Sequence, residues 1–229
     1  MKKLVIIPAF NEEGNLEKTI KDIKQNAPEF DYVIVNDCST DDTLELCREK
    51  GFSYLNLPVN LGIGGAVQTG YRYAYYHGYD LAVQFDGDGQ HGAAFLNQMA
   101  ETMLETESDM VIGSRFIDKE GFQSSALRRI GIKYFTILIR ILTGKTITDP
   151  TSGMRMINRK LLKKFTEDYP KDYPEPESVV TILSEKYKVK EIPVIMNERE
   201  EGESSISLRS GIYYMIKVSF AIIVARMKR

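Results

Sequence analysis

Short apolar runs and segments of helical periodicity alternate along the first half of the chain. Between the runs, apolar side chains recur at helical spacing, for example at Leu16, Ile20 and Ile23. The runs are rich in β-branched and aromatic residues and end at polar residues, glycine or proline: KLVIIP, DYVIVND, FSYLNLPV, DLAVQFD and DMVIGS. Strands and helices that alternate with short connections predict an α/β fold with a parallel, doubly wound sheet.

Polar clusters follow four of these predicted strands. In chain order they are PAFNEE, NDCSTDD, NLGIGG and DGDGQH. Ligands of open α/β sheets bind beyond the carboxyl ends of the strands. We therefore expect the four clusters to form one site on a single rim of the sheet.

Past Ser114 the regular alternation stops, and the pattern predicts amphipathic helices. In RRIGIKYFTILIRILTGK, a polar stripe of Lys133, Thr136, Arg140 and Thr143 borders a broad apolar face, and SGIYYMIKVSFAIIVARMKR at the end of the chain is similar. Such helices suit a membrane interface. The alternative is that they pack on the sheet or on each other.

The pattern predicts a catalytic domain over residues 1–205, which includes the interface helix at about 125–143, and a membrane-associating helix over 206–229. No uncharged apolar run approaches the roughly 20 residues that span a bilayer. The apolar run after the N-terminal lysines stops at Pro8, which is too short for an export signal. We expect a cytoplasmic protein that attaches peripherally to the inner face of the cell membrane.

Composition narrows the function classes. A formal net charge of −2 over 229 residues gives no reason to expect nucleic acid as a partner. Positive charge is local instead: residues 128–145 and 206–229 contain lysine and arginine but no acidic residue. Two cysteines are too few for a disulfide framework.

The DGDGQH motif places two carboxylates one residue apart, with no lysine or arginine beside them. Asp86 and Asp88 offer carboxylate oxygen, and Gln90 adds a neutral oxygen, which suits Mg²⁺ or Mn²⁺. A calcium EF-hand is excluded, because His91 stands where that loop needs glycine and Asn97 where it needs glutamate. A glycine-rich turn capped by aspartates remains the alternative.

The NLGIGG segment is a weaker signal. It lacks the dinucleotide-binding spacing, since Val67 occupies the place of the third glycine. It predicts that the backbone closely approaches a bulky group near a helix N-terminus, where amides attract anionic oxygen. A tight turn is the alternative.

Seven ordered motifs resemble those of the family 2 inverting glycosyltransferases of GT-A fold, in the branch of dolichol-phosphate mannose synthase and bacterial polyprenyl-phosphate hexosyltransferases. They are PAFNEE, VNDCSTDDT, NLGIGGAVQTG, FDGDGQH, GSRF, DPTSGMR and EREEGESS, and they cover nearly the whole chain. The resemblance implies a GT-A nucleotide-diphospho-sugar transferase fold with a mostly parallel sheet, followed here by the amphipathic helices.

The resemblance also implies roles for individual residues. Nucleotide-sugar contacts fall on Pro8, Phe10, Glu12, Asp37, Gly62, Asp86, Gly87 and Asp88. Asp86, Asp88 and Gln90 would face the diphosphate and its metal, and Arg115 and Arg199 would contact phosphate. Ser205 stands where mannose synthases tend to have lysine, which favours a UDP-sugar over a guanine nucleotide.

The acceptor decides which further residues take part. A lipid phosphate is already an anion and needs only cationic guides, for which Arg115, Arg128 and Arg129 are candidates. A sugar hydroxyl needs a carboxylate base, and Glu177 or Asp149 would supply it. Their alternatives are a helix-start carboxylate after Pro176 and a turn residue before proline.

The basic amphipathic helices favour the lipid acceptor. The sequence thus predicts a metal-dependent transferase in which Asp88, Arg115 and Arg199 act, moving glucose or N-acetylglucosamine from a UDP-sugar to a polyprenyl phosphate such as undecaprenyl phosphate. The enzymatic alternative is transfer to a hydroxyl of a cell-wall or capsular glycan, and the non-enzymatic alternative is an inactive nucleotide-sugar-binding scaffold. Attachment would use the membrane surface, a small integral-membrane partner or self-association.

Overall fold

The structure is a computed structural model, and it describes residues 1–122, 125–197 and 208–227. In chain order its elements are β1 (Lys3–Ala9), α1 (Leu16–Asn26), β2 (Asp31–Asn36), α2 (Thr43–Glu49), β3 (Tyr54–Asn56), α3 (Gly62–Tyr76), β4 (Leu81–Gln84), α4 (Leu96–Thr106), β5 (Met110–Ser114), α5 (Ala126–Thr143), β6 (Arg155–Asn158), α6 (Arg159–Glu167), α7 (Pro174–Ser184), β7 (Val189–Pro193) and α8 (Leu208–Met227). A short 3₁₀ turn, Ala93–Phe95, leads into α4.

Within these residues the strands form one seven-stranded sheet in the order β3-β2-β1-β4-β6-β5-β7. Neighbouring strands are parallel except on both sides of β6, which runs antiparallel to β4 and β5. The predicted mostly parallel α/β sheet is confirmed, and so are its first five strands. The helical pattern predicted past Ser114 is incomplete, because β6 and β7 also lie beyond that residue.

Helices cover both faces of the sheet. Along β1, Leu4 and Ile6 face the layer of α3, α6 and α7, whereas Val5 and Ile7 face the layer of α1 and α4. Successive side chains of a strand point to opposite faces, so a strand that is buried on both sides reads as one continuous apolar run. This explains why the central strands are visible in the sequence.

The first turn of α3 is packed against the chain itself. A Cβ at Gly64 would lie 2.2 Å from the carbonyl oxygen of Lys171, and the Gly64 amide donates to that oxygen at 3.2 Å. The bulky neighbour that the NLGIGG segment predicts is therefore, at Gly64, the loop between α6 and α7. Only glycine fits this approach.

The two late helices are half embedded in the fold. In α5 the side chains of Phe135 and Ile139 join the core, and in α8 those of Val218 and Ile222 do. Their other faces keep large apolar side chains in contact with solvent. Among the described residues, no helix is long and apolar enough to cross a membrane.

Glu191 of β7 fixes the loop that precedes β6. Its carboxylate accepts hydrogen bonds from the backbone amides of Thr148 and Asp149, at 2.8 to 2.9 Å, and from the Thr148 hydroxyl at 3.0 Å. Burial raises the pKa of this carboxyl, and the hydrogen bonds offset that effect only in part. The folded chain thus favours the protonated acid more than the unfolded chain does.

Replacing Glu191 with glutamine should remove a pH-dependent part of the stability. Because the folded pKa is raised, the stabilising contribution is complete below the ordinary value of 4.5 and is lost as the pH rises through the raised pKa. The free energy of unfolding of the unsubstituted chain, minus that of Glu191→Gln, should therefore fall from pH 4.5 upward. Urea denaturation at several pH values measures this difference. Glu101→Gln on the exposed side of α4 controls for the loss of one negative charge, and a difference that rises with pH contradicts the assignment.

Candidate active site

The carboxyl ends of three neighbouring strands bring the predicted nucleotide-binding residues to one rim. β2, β1 and β4 are adjacent and parallel. Pro8 lies near the end of β1 and Phe10 directly follows it, while Asp37 follows β2. The Phe10 side chain is about half exposed, at 47%, and Asp37 is buried. The structure thus places an exposed aromatic ring and a buried carboxylate on the same rim.

Hydrogen bonds join the rim loops to each other. The Asn11 side chain accepts from the Thr40 amide at 2.8 Å, and the Glu12 amide donates to the Thr43 hydroxyl at 2.9 Å. Asp37 reaches the third loop, where its Oδ1 accepts from the Leu61 amide at 2.7 Å, one residue before Gly62. The loops after β1, β2 and β3 therefore form one connected surface.

The acidic motif after β4 lies on the same rim. Asp88 is buried, and its Oδ1 accepts from the Gln90 amide at 3.1 Å, so this carboxylate does brace the turn. The Asp86 amide donates to Nδ1 of His91 at 3.0 Å, and Nε2 of the same ring lies 3.5 Å from Asp86 Oδ2. His91 thus fixes the start of the motif. Gly87 packs against the end of β1, near Ile7 and the Pro8 carbonyl.

A glycine from a distant segment makes room for Asp86. A Cβ at Gly153, in the DPTSGMR motif, would lie 2.6 Å from Asp86 Oδ2 and 2.9 Å from Oδ1. Any side chain there would displace the carboxylate, because atoms at such distances clash. The 150–153 loop and the acidic motif are therefore in direct contact, although the sequence separates them widely.

Arg115 and Asp149 bind each other. Arg115 Nε lies 2.6 Å from Asp149 Oδ2 and Nη2 lies 2.7 Å from Oδ1, in a two-point ion pair, and Nη2 also donates to the Thr151 hydroxyl at 3.1 Å. Both side chains are buried. A carboxylate engaged in this way is poorly placed to accept a proton from an acceptor hydroxyl. A phosphate bound by Arg115 would have to share the guanidinium with Asp149.

Arg155 is a central residue that the sequence patterns did not indicate. Its side chain is 1% exposed. The guanidinium donates to the carbonyl oxygens of Ser152 and Pro150, each at 2.7 Å, to the Glu175 carbonyl, and to the Ser178 hydroxyl at 3.0 Å. It therefore fixes the 150–153 loop and the first turn of α7 relative to each other. Its position in the DPTSGMR motif was the available signal.

Glu175 is a second residue of this kind, and it adjoins the acidic motif. Burial raises the pKa of its carboxyl; the Arg155 charge and a hydrogen bond from the Gln84 side chain oppose this effect, and the charge of Asp86 adds to it. Glu177, the predicted base two residues on, lies elsewhere. It lines a cleft of about 190 Å³ with Asp168, Tyr169 and Ala225. The structure thus associates Glu175 with Asp86, and it associates Glu177 with the cleft between α6, α7 and α8.

The remaining predicted cations lie at the start of α5 or outside the described part of the chain. Arg128 and Arg129 are exposed in the first turn of α5. Arg199 lies outside the described residues, as do the EREEGESS motif and Ser205. The roles predicted for these residues therefore stay predictions.

The donor set at the rim is small. The described residues contain no group of three or more His, Cys, Asp or Glu side chains that could hold a metal ion. Mg²⁺ is commonly bound by one or two carboxylates together with water and substrate phosphates. Asp86 and Asp88 therefore fit such a cation as half of a site whose other half is a diphosphate.

Comparisons with known proteins find similar sequences over most of the chain. The chain is 27% identical over 249 residues to the UDP-N-acetylglucosamine–dolichyl-phosphate N-acetylglucosaminyltransferase of Methanococcus voltae, covering 97% of this chain and 95% of that one. It is 30% identical over 216 residues to the undecaprenyl-phosphate mannosyltransferase of Micrococcus luteus, covering 90% and 88%.

The fold is found among solved structures too. Glucosyl-3-phosphoglycerate synthase from Mycobacterium tuberculosis, crystallised with Mn²⁺, UDP-glucose and phosphoglyceric acid, superposes with a TM-score of 0.76 at 17% identity, covering 98% of this chain and 79% of that one. The sequence model of the Glycosyl transferase family 2 domain matches residues 4–166, from β1 to α6. With its rim loops, its sheet and its sequence in agreement, the chain belongs to glycosyl transferase family 2.

Proposed function

We propose that this protein transfers a hexose, of the glucose or N-acetylglucosamine type, from a UDP-sugar to a polyprenyl phosphate on the cytoplasmic face of the membrane. The observation that carries the proposal is that the chain has two helices, α5 and α8, whose outer faces are apolar and exposed, beside the rim that carries the predicted nucleotide-sugar residues. The named relatives from Methanococcus voltae and Micrococcus luteus support it, since both take a polyprenyl-type phosphate.

The donor nucleotide would lie across the loops after β1 and β2. Phe10 presents an aromatic face for the base, and Asp37, braced by the Leu61 amide, presents a carboxylate beside it. Pro8 and Glu12 would complete the nucleoside site. Gly62 begins α3, and the positive end of that helix would favour the diphosphate, while its Gly62 and Gly64 amides donate to the Asn60 side chain and the Lys171 carbonyl.

Asp86, Asp88 and Gln90 would hold Mg²⁺ or Mn²⁺ against the diphosphate. When bound, the cation stabilises negative charge that grows on the departing nucleoside diphosphate. The Mn²⁺ and UDP-glucose in the Mycobacterium tuberculosis structure support this use of a divalent ion in the same fold. The protein itself holds the two aspartates in place. The His91 ring accepts a hydrogen bond from the Asp86 backbone amide, and the backbone amide of Gln90 donates to the Asp88 carboxylate.

The acceptor phosphate would attack the anomeric carbon from the side opposite the leaving group. A new bond forms between a phosphate oxygen and that carbon, the bond to the diphosphate breaks, and the configuration inverts. Because the acceptor is an anion, no side chain has to remove a proton. The structure supports this acceptor in two ways: Asp149 is engaged by Arg115, and Glu177 lies in the cleft beside α8. The cations that we propose to guide the phosphate are Arg128, Arg129 and Arg199. Arg115 would contribute by contacting the phosphate and Asp149 together.

The two late helices form what we name the docking face. It consists of the exposed apolar side chains of α5 and α8: Ile130, Tyr134, Ile137, Ile141, Tyr213, Ile216, Phe220, Ile223, Val224 and Met227. The Tyr134 and Ser219 hydroxyls are 2.9 Å apart, so the helices lie side by side. Lys133 and Arg140 are exposed on α5. An apolar face with cations nearby favours an anionic bilayer as its partner.

Incubation with undecaprenyl phosphate and a panel of UDP- and GDP-sugars should give a glycosylated lipid from a UDP-sugar, detected by mass spectrometry of the lipid fraction. Asp88→Asn should lower the rate by about a hundredfold or more, because the metal's charge stabilisation amounts to several kcal/mol. Glu177→Gln, which removes a carboxyl outside the rim, is the matched control and should retain transfer. Loss of activity in Glu177→Gln alone would favour the glycan-hydroxyl acceptor, and binding of UDP-sugars without turnover would favour the scaffold.

The docking face should carry the protein onto anionic vesicles. Flotation with phosphatidylglycerol vesicles should recover the unsubstituted chain with the lipid, and the Ile141→Glu, Phe220→Glu double variant should stay in solution. Full burial of one such side chain is worth about 1.5–3 kcal/mol, so two charges on the face remove most of the gain. A chain that does not float but forms a dimer through these residues shows self-association instead. If flotation requires a co-expressed membrane protein, an integral-membrane partner is indicated.

A further inference from the structure

Gln84 is a buried polar residue at the end of β4, directly below the acidic motif. It is 1% exposed, and it pairs with Arg155 across the antiparallel β4–β6 ladder. The two long polar side chains therefore lie side by side on the face of the sheet that α7 covers. An amide in this position needs hydrogen-bonding partners, because burying it without them is costly.

The side chain of Gln84 lies beside two acids. Nε2 donates to Asp86 Oδ1 at 3.3 Å, and the same side chain partly offsets the raised pKa of the Glu175 carboxyl. The Oε1 atom is buried, and no described residue donates to it. The opposite orientation would turn a carbonyl oxygen toward Asp86. The amide nitrogen thus holds the Asp86 carboxylate from the end of β4.

Hydrogen bonds fix the segment beside Gln84. Arg155 binds the Glu175 backbone carbonyl and the Ser178 hydroxyl, so the first turn of α7 cannot move away from the sheet without breaking buried hydrogen bonds. On another side, the Gly153 backbone packs against the Asp86 carboxylate, whose side chain is 34% exposed. Asp86 therefore has backbone on one side and the Gln84 amide as its hydrogen-bond donor.

We propose that Gln84 is a positioning residue for the diphosphate and cation site: its amide holds Asp86 in the orientation that the ligand requires. This inference rests on the proposed function. Outer partners that orient ligating groups typically account for about 10–100-fold in metal affinity or activity. Among the described residues no donor reaches Oε1, which is consistent with a side chain that acts through its N–H groups.

The test measures UDP affinity with and without Mn²⁺ by isothermal titration calorimetry. Gln84→Met keeps the length of the side chain and removes the hydrogen bonds. It should weaken Mn²⁺-dependent UDP binding about tenfold, and it should raise the KM for the donor by more than it lowers kcat. UDP affinity in EDTA, which depends on the base and ribose contacts, should fall far less.

Gln68 of α3 supplies the matched control. Its amide donates to the Phe165 carbonyl at 3.1 Å, away from the rim, so Gln68→Met removes a comparable hydrogen bond without touching Asp86. It should leave both UDP affinities as they are. Equal Mn²⁺-dependent affinity in Gln84→Met and the unsubstituted chain would overturn the positioning role. The positioning role would also be overturned if Gln84→Met lost UDP affinity equally with and without Mn²⁺ and had a lower melting temperature. That result would indicate a general loss of stability. If Mn²⁺ does not change the UDP affinity of the unsubstituted chain, the proposed metal site of Asp86, Asp88 and Gln90 is wrong. The positioning role of Gln84 then has no site to act on.

Discussion

The buried guanidinium of Arg155 is the interaction on which the rest of the site depends. A cation inside a protein is tolerated only when its donors are satisfied, and here three backbone carbonyls and one hydroxyl receive them. Those oxygens belong to the 150–153 loop and to the first turn of α7, which are separate in the sequence. Because the buried charge of Arg155 needs hydrogen-bond acceptors, it holds the 150–153 loop and α7 together above the carboxyl end of the sheet.

Much of the rim geometry follows from that arrangement. The loop that Arg155 holds contains Gly153, which touches Asp86, and it follows Asp149, which engages Arg115. The turn of α7 contains Glu175, whose carboxyl feels both the Gln84 side chain and the Asp86 charge. Acidic groups held close together repel one another, and a shifted protonation state or an added cation relieves the repulsion. The buried contacts of Arg155 hold these segments in place, and in the proposed function a cation bound with the diphosphate would supply the opposite charge.

The sequence reveals the parts of this design that are local. β1, β2 and β4 are buried on both faces, so they appear as apolar runs, and Asp86 and Asp88 are recognisable because they stand one residue apart. β6 was missed because Arg155 interrupts its apolar pattern, and nothing local shows that this charge is buried. β7, with the sequence VKEIP, mixes charged and apolar residues in the same way.

The residue spacing of a single sequence does not show that Gln84, Arg155 and Glu175 lie close together. These residues come from β4, β6 and α7, and only the strand order brings them together. The choice between Glu175 and Glu177 shows the same limit. Both lie in the first turn of one helix, and the rotation of that helix on the sheet decides which carboxyl meets Asp86.

The contact between Gly64 and Lys171 has a mechanical consequence. At Gly64 the amide end of α3 and the loop after α6 meet backbone to backbone, with no side chain between them to act as a flexible spacer. Neither segment can swing outward without breaking this hydrogen bond. Opening or closing of this corner of the molecule would therefore tend to carry both segments together, along with the tyrosine pair Tyr173 and Tyr214 that joins the same loop to α8.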